Sequence, residues 1–171
     1  MTEELRDKVY YWALELVSEG KKLQGVFLLL ATWNFAYFRY HTRSFGLRKF
    51  EKFLNSCDFD YFKDKKFEKV DLEDNEIKGR IVKIYKELSE FQGVKYVGAT
   101  KVMHIISPHF FVMWDTKVRK HFGFGTSPIE YFNFLKKMQQ DYRNGKFKNV
   151  EKSVSIPRAI DLYNITHYSD F

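Results

Sequence analysis

The 171-residue chain has one cysteine, Cys57, and only three prolines. A single cysteine excludes an intramolecular disulfide and a metal centre built from cysteines alone, and it favours a reducing compartment. The few prolines, together with 44% hydrophobic and 19% aromatic residues, exclude a disordered or fibrous chain. The composition therefore predicts a globular protein of the cytoplasm.

Long apolar segments are also missing. The longest, GVFLLLATWNFAYF, has about fourteen residues, fewer than the roughly 18 to 20 that a membrane-spanning helix requires. The first residues contain acids and no uninterrupted apolar core, so they do not resemble a secretory signal. We expect no membrane partner and interpret the apolar segment as a buried helix.

Acidic side chains are outnumbered, with 22 Asp and Glu against 29 Lys and Arg, which gives a net charge of +7. A basic surface favours a polyanionic partner, because Lys and Arg that neutralise phosphates release condensed counterions. Charge alone leaves open whether that partner is a nucleic acid.

Alternation of apolar and polar residues, the pattern of strands, is absent, and apolar residues instead recur at helical spacing. Helix starts such as Ser127-Pro128 and stops such as Gly20 divide the chain into seven to nine helices. The predicted fold is all-α, a single helical domain over residues 1–171 in two lobes around a cleft.

Two further segments carry predictions of their own. A continuous buried helix is predicted over 23–39. The charged segment 57–70 has no clear period, so it is either a long surface connection or a short irregular helix. In either form it could join the two lobes.

The segment YVGATKVMHIISPHFFVMWDTKVRKHFGF places Lys101 and Asp115 in otherwise apolar chain. Gly93 and Gly98 bracket a turn, and a helix is predicted to begin near Ala99, with Lys101 in its first turn. Fourteen residues separate the lysine from the aspartate, which is placed to cap the next helix. Seven extended residues reach roughly 23 Å, more than the roughly 10 Å of the helix that they retrace, so the two side chains can meet.

This glycine turn, the Thr-Lys-Val that follows it and the element WDTKVRK resemble the helix-hairpin-helix DNA glycosylase superfamily (HhH-GPD), whose signature ends in a V-D-T-H-V-x-R-like element. Asp115, Thr116, Val118 and Arg119 occupy matching positions, and the likeness covers about 30 of the 171 residues. Among the lysine-bearing members, the Thr-Lys-Val motif most resembles that of the enzymes that act on oxidised guanine, the 8-oxoguanine DNA glycosylase/AP lyases. Members that carry an iron–sulfur cluster are excluded, because four cysteines are lacking.

The resemblance implies DNA repair by a glycosylase with lyase activity, acting as a monomer on double-stranded DNA with a damaged base, in the nucleoid if the source is prokaryotic. Lys101 would attack C1′ and form a Schiff base, assisted by Asp115, with no metal and no cofactor. The amine must be neutral, so burial and cations such as Lys95 or Arg119 would lower its pKa. The flipped base would enter a pocket walled by Trp33, Phe111 and Trp114. The residues expected to hold the DNA backbone are Gly93, Lys95, Gly98, Thr100, Lys117 and Arg119.

Departures from the family pattern leave two other functions open. Tyr96 replaces the first turn glycine, and Lys101 lies three rather than two residues after Gly98. A non-catalytic helix-hairpin-helix-like nucleic-acid-binding protein is one alternative, and a helical interaction protein that binds no nucleic acid is the other.

Three further patterns carry alternatives. His104, His109 and His121 lack the partners that a tetrahedral metal site needs, so no metal is predicted. FRYHTR, residues 38–43, mixes aromatic and basic residues as single-strand binders do, although the snorkelling end of a buried helix would look the same. Asp161 lies one helical turn before Asn164 and could face a cleft.

Overall fold

Helices dominate the part of the chain described by this computed structural model, residues 3–147 and 154–168. In these ranges nine α-helices and no β-strand are found, so the all-α prediction is confirmed. The helices are α1 (Glu3–Ser18), α2 (Lys22–Trp33), α3 (Phe35–His41), α4 (Leu47–Ser56), α5 (Asn75–Ser89), α6 (Lys95–Ile106), α7 (Thr116–His121), α8 (Pro128–Arg143) and α9 (Ile156–Tyr168). A short 3-10 helix, Phe59–Phe62, lies between α4 and α5.

Two predicted helix starts are confirmed by their caps. The Asp115 carboxylate accepts the Val118 N–H at 2.7 Å and opens α7. Ser127 and Glu130 form a reciprocal capping box at the start of α8, where Pro128 is the first helical residue. These bonds satisfy N–H groups that a helix start otherwise leaves without partners.

The helix predicted as continuous over 23–39 is broken at Asn34, which separates α2 from α3. The Tyr37 N–H donates to the Asn34 carbonyl at 3.1 Å, one residue short of the helical pattern. The Asn34 side-chain amide donates to the carbonyls of Gly93 and Val94, at 3.2 Å each. The break is thus tied to the turn between α5 and α6.

Segment 57–70 is not a solvated connection. Phe59, Phe62 and Phe67 are at most 1% exposed, and the Phe67 N–H donates to the His109 carbonyl at 2.9 Å. The short irregular helix is therefore the correct alternative. Buried hydrophobic side chains form one cluster with members in all nine helices, while the division into two lobes stays a prediction.

Helix α2 lies at the centre, in contact with α1, α3, α4 and α6. Helix α5 packs against α6 and α8, and α7 packs against α9. No helix within the described ranges is both long enough and apolar enough to cross a membrane.

Replacing Gly25 with alanine should destabilise the fold by about 1–3 kcal/mol, because an added methyl group would overpack the α1–α2 contact. A Cβ at Gly25 would lie 2.6 Å from the Ala13 carbonyl oxygen, which belongs to backbone and cannot rotate away. Urea denaturation measures the difference. Gly79→Ala is the matched control: nothing lies within 4 Å of its Cβ position in α5, so this variant should gain up to about 1 kcal/mol. Equal stabilities of the two variants would contradict the close approach of α1 and α2.

Candidate active site

A cavity of about 370 Å³ opens where the α2–α3 junction faces the starts of α6 and α7. Lys101 and Asp115 both line it, so the fold brings the two predicted catalytic residues to one cavity. Lys101 is 9% exposed and Asp115 is half-buried.

The position of Lys101 in its helix differs from the prediction. Helix α6 begins at Lys95 rather than near Ala99, so Gly98 lies inside the helix and Lys101 is in the second turn. The hairpin turn lies earlier, at Gly93, whose φ of +89° is left-handed. The sequence signal was ambiguous because either glycine could mark a turn.

The Lys101 amine donates to the Trp33 carbonyl at 2.5 Å. In an unbroken helix this carbonyl would accept the N–H of Tyr37, which here donates to Asn34 instead. The break between α2 and α3 thus provides the acceptor that holds the amine beside the cavity.

Burial lowers the pKa of Lys101 to about 8. Asp161 opposes this change, the Arg6 guanidinium adds to it, and Asp115 opposes it more weakly. The cation that depresses this pKa is therefore Arg6, in place of the expected Lys95 or Arg119. At pH 7 about a tenth of the amines are neutral, as a nucleophile must be.

Behind the cavity lies a buried ion pair. Asp161, predicted to face a cleft together with Asn164, belongs to this pair, and both residues are buried and do not line the cavity. Arg158 and Asp161, each 4% exposed, are paired on α9. Arg158 also pairs with Asp7 at 3.2 Å, and its guanidinium lies 4.9 Å from the Trp33 ring centroid and 4.6 Å from that of Tyr10. Burial raises the pKa of Asp161, and the charge of Arg158 opposes that rise.

His104 serves packing in this region. Its Nδ1 lies 2.6 Å from the Phe111 carbonyl, which can only accept, so Nδ1 carries the proton and Nε2 accepts the Tyr10 hydroxyl at 2.8 Å. Burial lowers the pKa of His104 to about 3, which keeps the ring neutral. Across the described residues, no group of three or more His, Cys, Asp or Glu side chains could hold a metal ion.

Of the three aromatic residues expected to wall a base pocket, only Trp33 lines the cavity. Phe111 and Trp114 are at most 1% exposed and pack in the core, because the return segment before α7 turns its large apolar side chains inward. The other aromatic residues at the cavity include Phe35 and Tyr37 of α3.

The six residues expected to contact the DNA backbone divide into two groups. Lys95 and Lys117 are exposed and line the cavity, whereas the other four are buried: Gly93, Gly98, Thr100 and Arg119.

The buried residues of the second group take part in helix packing or in hydrogen bonds within the fold. A Cβ at Gly98 would lie 2.9 Å from the Asn34 side-chain nitrogen, so the glycine allows α6 to approach the end of α2. The Thr100 hydroxyl donates to a carbonyl of its own helix at 3.0 Å. The Arg119 guanidinium donates to the Phe124 carbonyl beyond α7. The polar side chains of Thr100 and Arg119 are therefore already bonded within the fold.

The WDTKVRK element thus forms the capped start of α7, with Asp115 at the cavity and Lys117 exposed beside it. Its resemblance to glycosylases is confined to this local pattern and the preceding helix. Comparison of the whole chain with family models, curated proteins and solved structures gives no match.

Proposed function

We propose that this protein is a DNA repair glycosylase with AP lyase activity, which removes a damaged base, with oxidised guanine as the first candidate. The observation that carries the proposal is that Lys101, with a depressed pKa, and Asp115 line one cavity. An amine and a carboxylate at one cavity are the two groups that this reaction needs.

In the proposed reaction the neutral Lys101 amine attacks C1′ of the damaged nucleotide. A C1′–N bond to lysine forms, and the glycosidic bond breaks with its electron pair leaving on the base. The Asp115 carboxylate stabilises the positive charge that develops on the sugar. The attached amine then loses a proton, and the C1′–O4′ bond breaks with its electron pair leaving on O4′, which takes up a proton. The resulting Schiff base is the intermediate from which the strand is cleaved by elimination.

The surroundings of the cavity support a DNA substrate. Exposed Lys95 and Lys117 lie at the cavity, and the chain carries a net charge of +7. Lysines so placed can hold the phosphates that flank a flipped nucleotide. The cavity volume, about 370 Å³, is within the range of small-molecule sites.

A second candidate function is a non-catalytic nucleic-acid-binding protein. The observation in its favour is the hydrogen bond from Lys101 to the Trp33 carbonyl, since that bond gives the amine a structural use. Such a protein would keep the basic cavity mouth without forming any covalent intermediate.

Reductive trapping with cyanoborohydride on abasic and oxidised-guanine duplexes separates the two functions. We expect a covalent complex whose initial rate of formation rises about tenfold per pH unit from pH 6 and levels near pH 8, where the amine becomes mostly neutral.

The lowered pKa of Lys101 also makes the folded state more stable as the pH rises from about 8 towards the pKa of a free lysine. In this range the Lys101 amine holds its proton only in the unfolded chain.

Salt-dependent binding without trapping on any lesion would favour the second candidate. An absence of salt-sensitive DNA affinity would contradict both and favour a protein-interaction role, since phosphate contacts weaken steeply with ionic strength.

A further inference from the structure

Helix α3 exposes two aromatic rings with an arginine between them. Phe35 is 53% exposed and Tyr40 is 72% exposed. The Arg39 guanidinium lies 5.4 Å from the Phe35 ring centroid and 4.6 Å from the Tyr40 centroid, and it donates to the Tyr40 hydroxyl at 2.7 Å. Within the segment 38–43, Phe38 is buried as the end of a packed helix would be, whereas the Tyr40 ring lies in solvent. We call Phe35, Arg39 and Tyr40 the α3 ladder.

The α3 ladder begins at the candidate active site. Phe35 and Tyr37 both line the Lys101 cavity. Tyr37 stacks on His41 with a centroid distance of 4.2 Å, and the Lys95 amine lies 5.2 Å from the Tyr37 ring. Aromatic faces and cations therefore continue from the cavity along the helix.

Negative charge is absent from the sequence around this surface. Residues 20–50 contain no Asp or Glu, and neither do residues 91–114. The first stretch includes α2 and α3, and the second includes α6. Asp115 is the single acidic residue among those that line the cavity. The charge of this face suits a polyanion and disfavours a basic partner.

We propose that the α3 ladder is a platform on which unpaired DNA bases stack, so that the substrate is single-stranded or locally unpaired DNA. The inference rests on the proposed function for the identity of the strand. Every base has a π face, so exposed rings bind unpaired bases whatever the sequence, and the intervening arginine adds cation–π contacts and neutralises phosphate. The two rings are at most about 10 Å apart, which corresponds to roughly three base steps of 3.4 Å.

Fluorescence anisotropy of the full chain with labelled oligothymidine and with an intact duplex of equal length tests the platform. We expect Phe35→Ala/Tyr40→Ala to raise the Kd for oligothymidine about 10-fold to 100-fold, because stacking on two rings is lost, and to raise the Kd for the duplex much less. The matched control is Tyr11→Ala/Trp12→Ala, which removes two α1 rings of similar exposure, 53% and 51%, and should leave both Kd values unchanged. Arg39→Gln should weaken binding and lower its salt dependence.

The proposal is overturned if the α3 double variant binds oligothymidine as the wild type does, or if the α1 control loses as much affinity. It is also overturned if polyglutamate displaces oligothymidine at equal charge concentration, since that result indicates an acidic protein partner. Thermal melting of each variant checks that it is folded. Reductive trapping is measured separately. If the wild type is trapped on DNA but the α3 double variant keeps its affinity for oligothymidine, only the platform is contradicted. If the double variant loses affinity but the wild type is not trapped, only the glycosylase function is contradicted.

Discussion

Lys101→Ala should reduce the trapped protein–DNA complex to background while salt-dependent DNA binding persists. The Schiff base requires an amine, and no other group at that position can replace it. Lys101 is 9% exposed and lines the cavity together with Asp115, so its removal takes away the proposed nucleophile from the site. Gel electrophoresis after reduction measures the complex, and anisotropy measures binding.

Two variants sharpen this experiment. Lys101→Arg keeps a cation that stays charged at every accessible pH, so it should also give no complex. Lys95→Ala removes the exposed lysine at the start of α6 that lines the same cavity, and here the complex should still form, although with weaker DNA binding. If Lys95→Ala gave no covalent complex while Lys101→Ala still gave one, the nucleophile would be Lys95, and the proposed role of Lys101 would be contradicted.

Arg158→Met should destabilise the protein by about 3–5 kcal/mol, because it leaves the Asp161 carboxylate buried without its guanidinium. Both residues are 4% exposed, and Arg158 also lies over the rings of Tyr10 and Trp33. Burial already raises the pKa of Asp161, so the loss should shrink as pH falls and the carboxyl becomes neutral. Denaturant unfolding at two pH values measures it.

The double variant Arg158→Met/Asp161→Leu should recover much of that stability, because no charge then stays buried. Lys8→Met is the surface control: its partner Glu4 lies 2.7 Å away with 78% of its side chain exposed, and less than about 1 kcal/mol should be lost. A single variant Arg158→Met as stable as Lys8→Met would show that the ion pair contributes little.

Local signals predicted much of the fold. The all-α class, the cap at Asp115 and the Ser127 capping box follow from periodicity and from residue types that satisfy N–H groups at helix starts. The break at Asn34 could not be predicted, because it depends on carbonyls of a turn some sixty residues later in the sequence. The burial of Phe59 and Phe62 was hidden by the charged residues around them.

The candidate site was predictable only along one segment. Lys101 and Asp115 lie fourteen residues apart, and the intervening helix and return connection could be followed from the sequence. Arg158 and Asp161 reach the same region from the last helix, and nothing local indicates which distant helix they face. Thr100 and Arg119 have polar side chains typical of DNA contacts, yet tertiary packing turned them inward.

The side-chain amide of Asn34 joins the α2–α3 junction to the turn between α5 and α6. It fastens the end of α2 to the Gly93–Val94 turn, while the carbonyl just before it holds the Lys101 amine. Because these bonds are made by neighbouring residues, a displacement of the α2–α3 junction would change both the contact with the Gly93–Val94 turn and the hydrogen bond that holds the Lys101 amine beside the cavity.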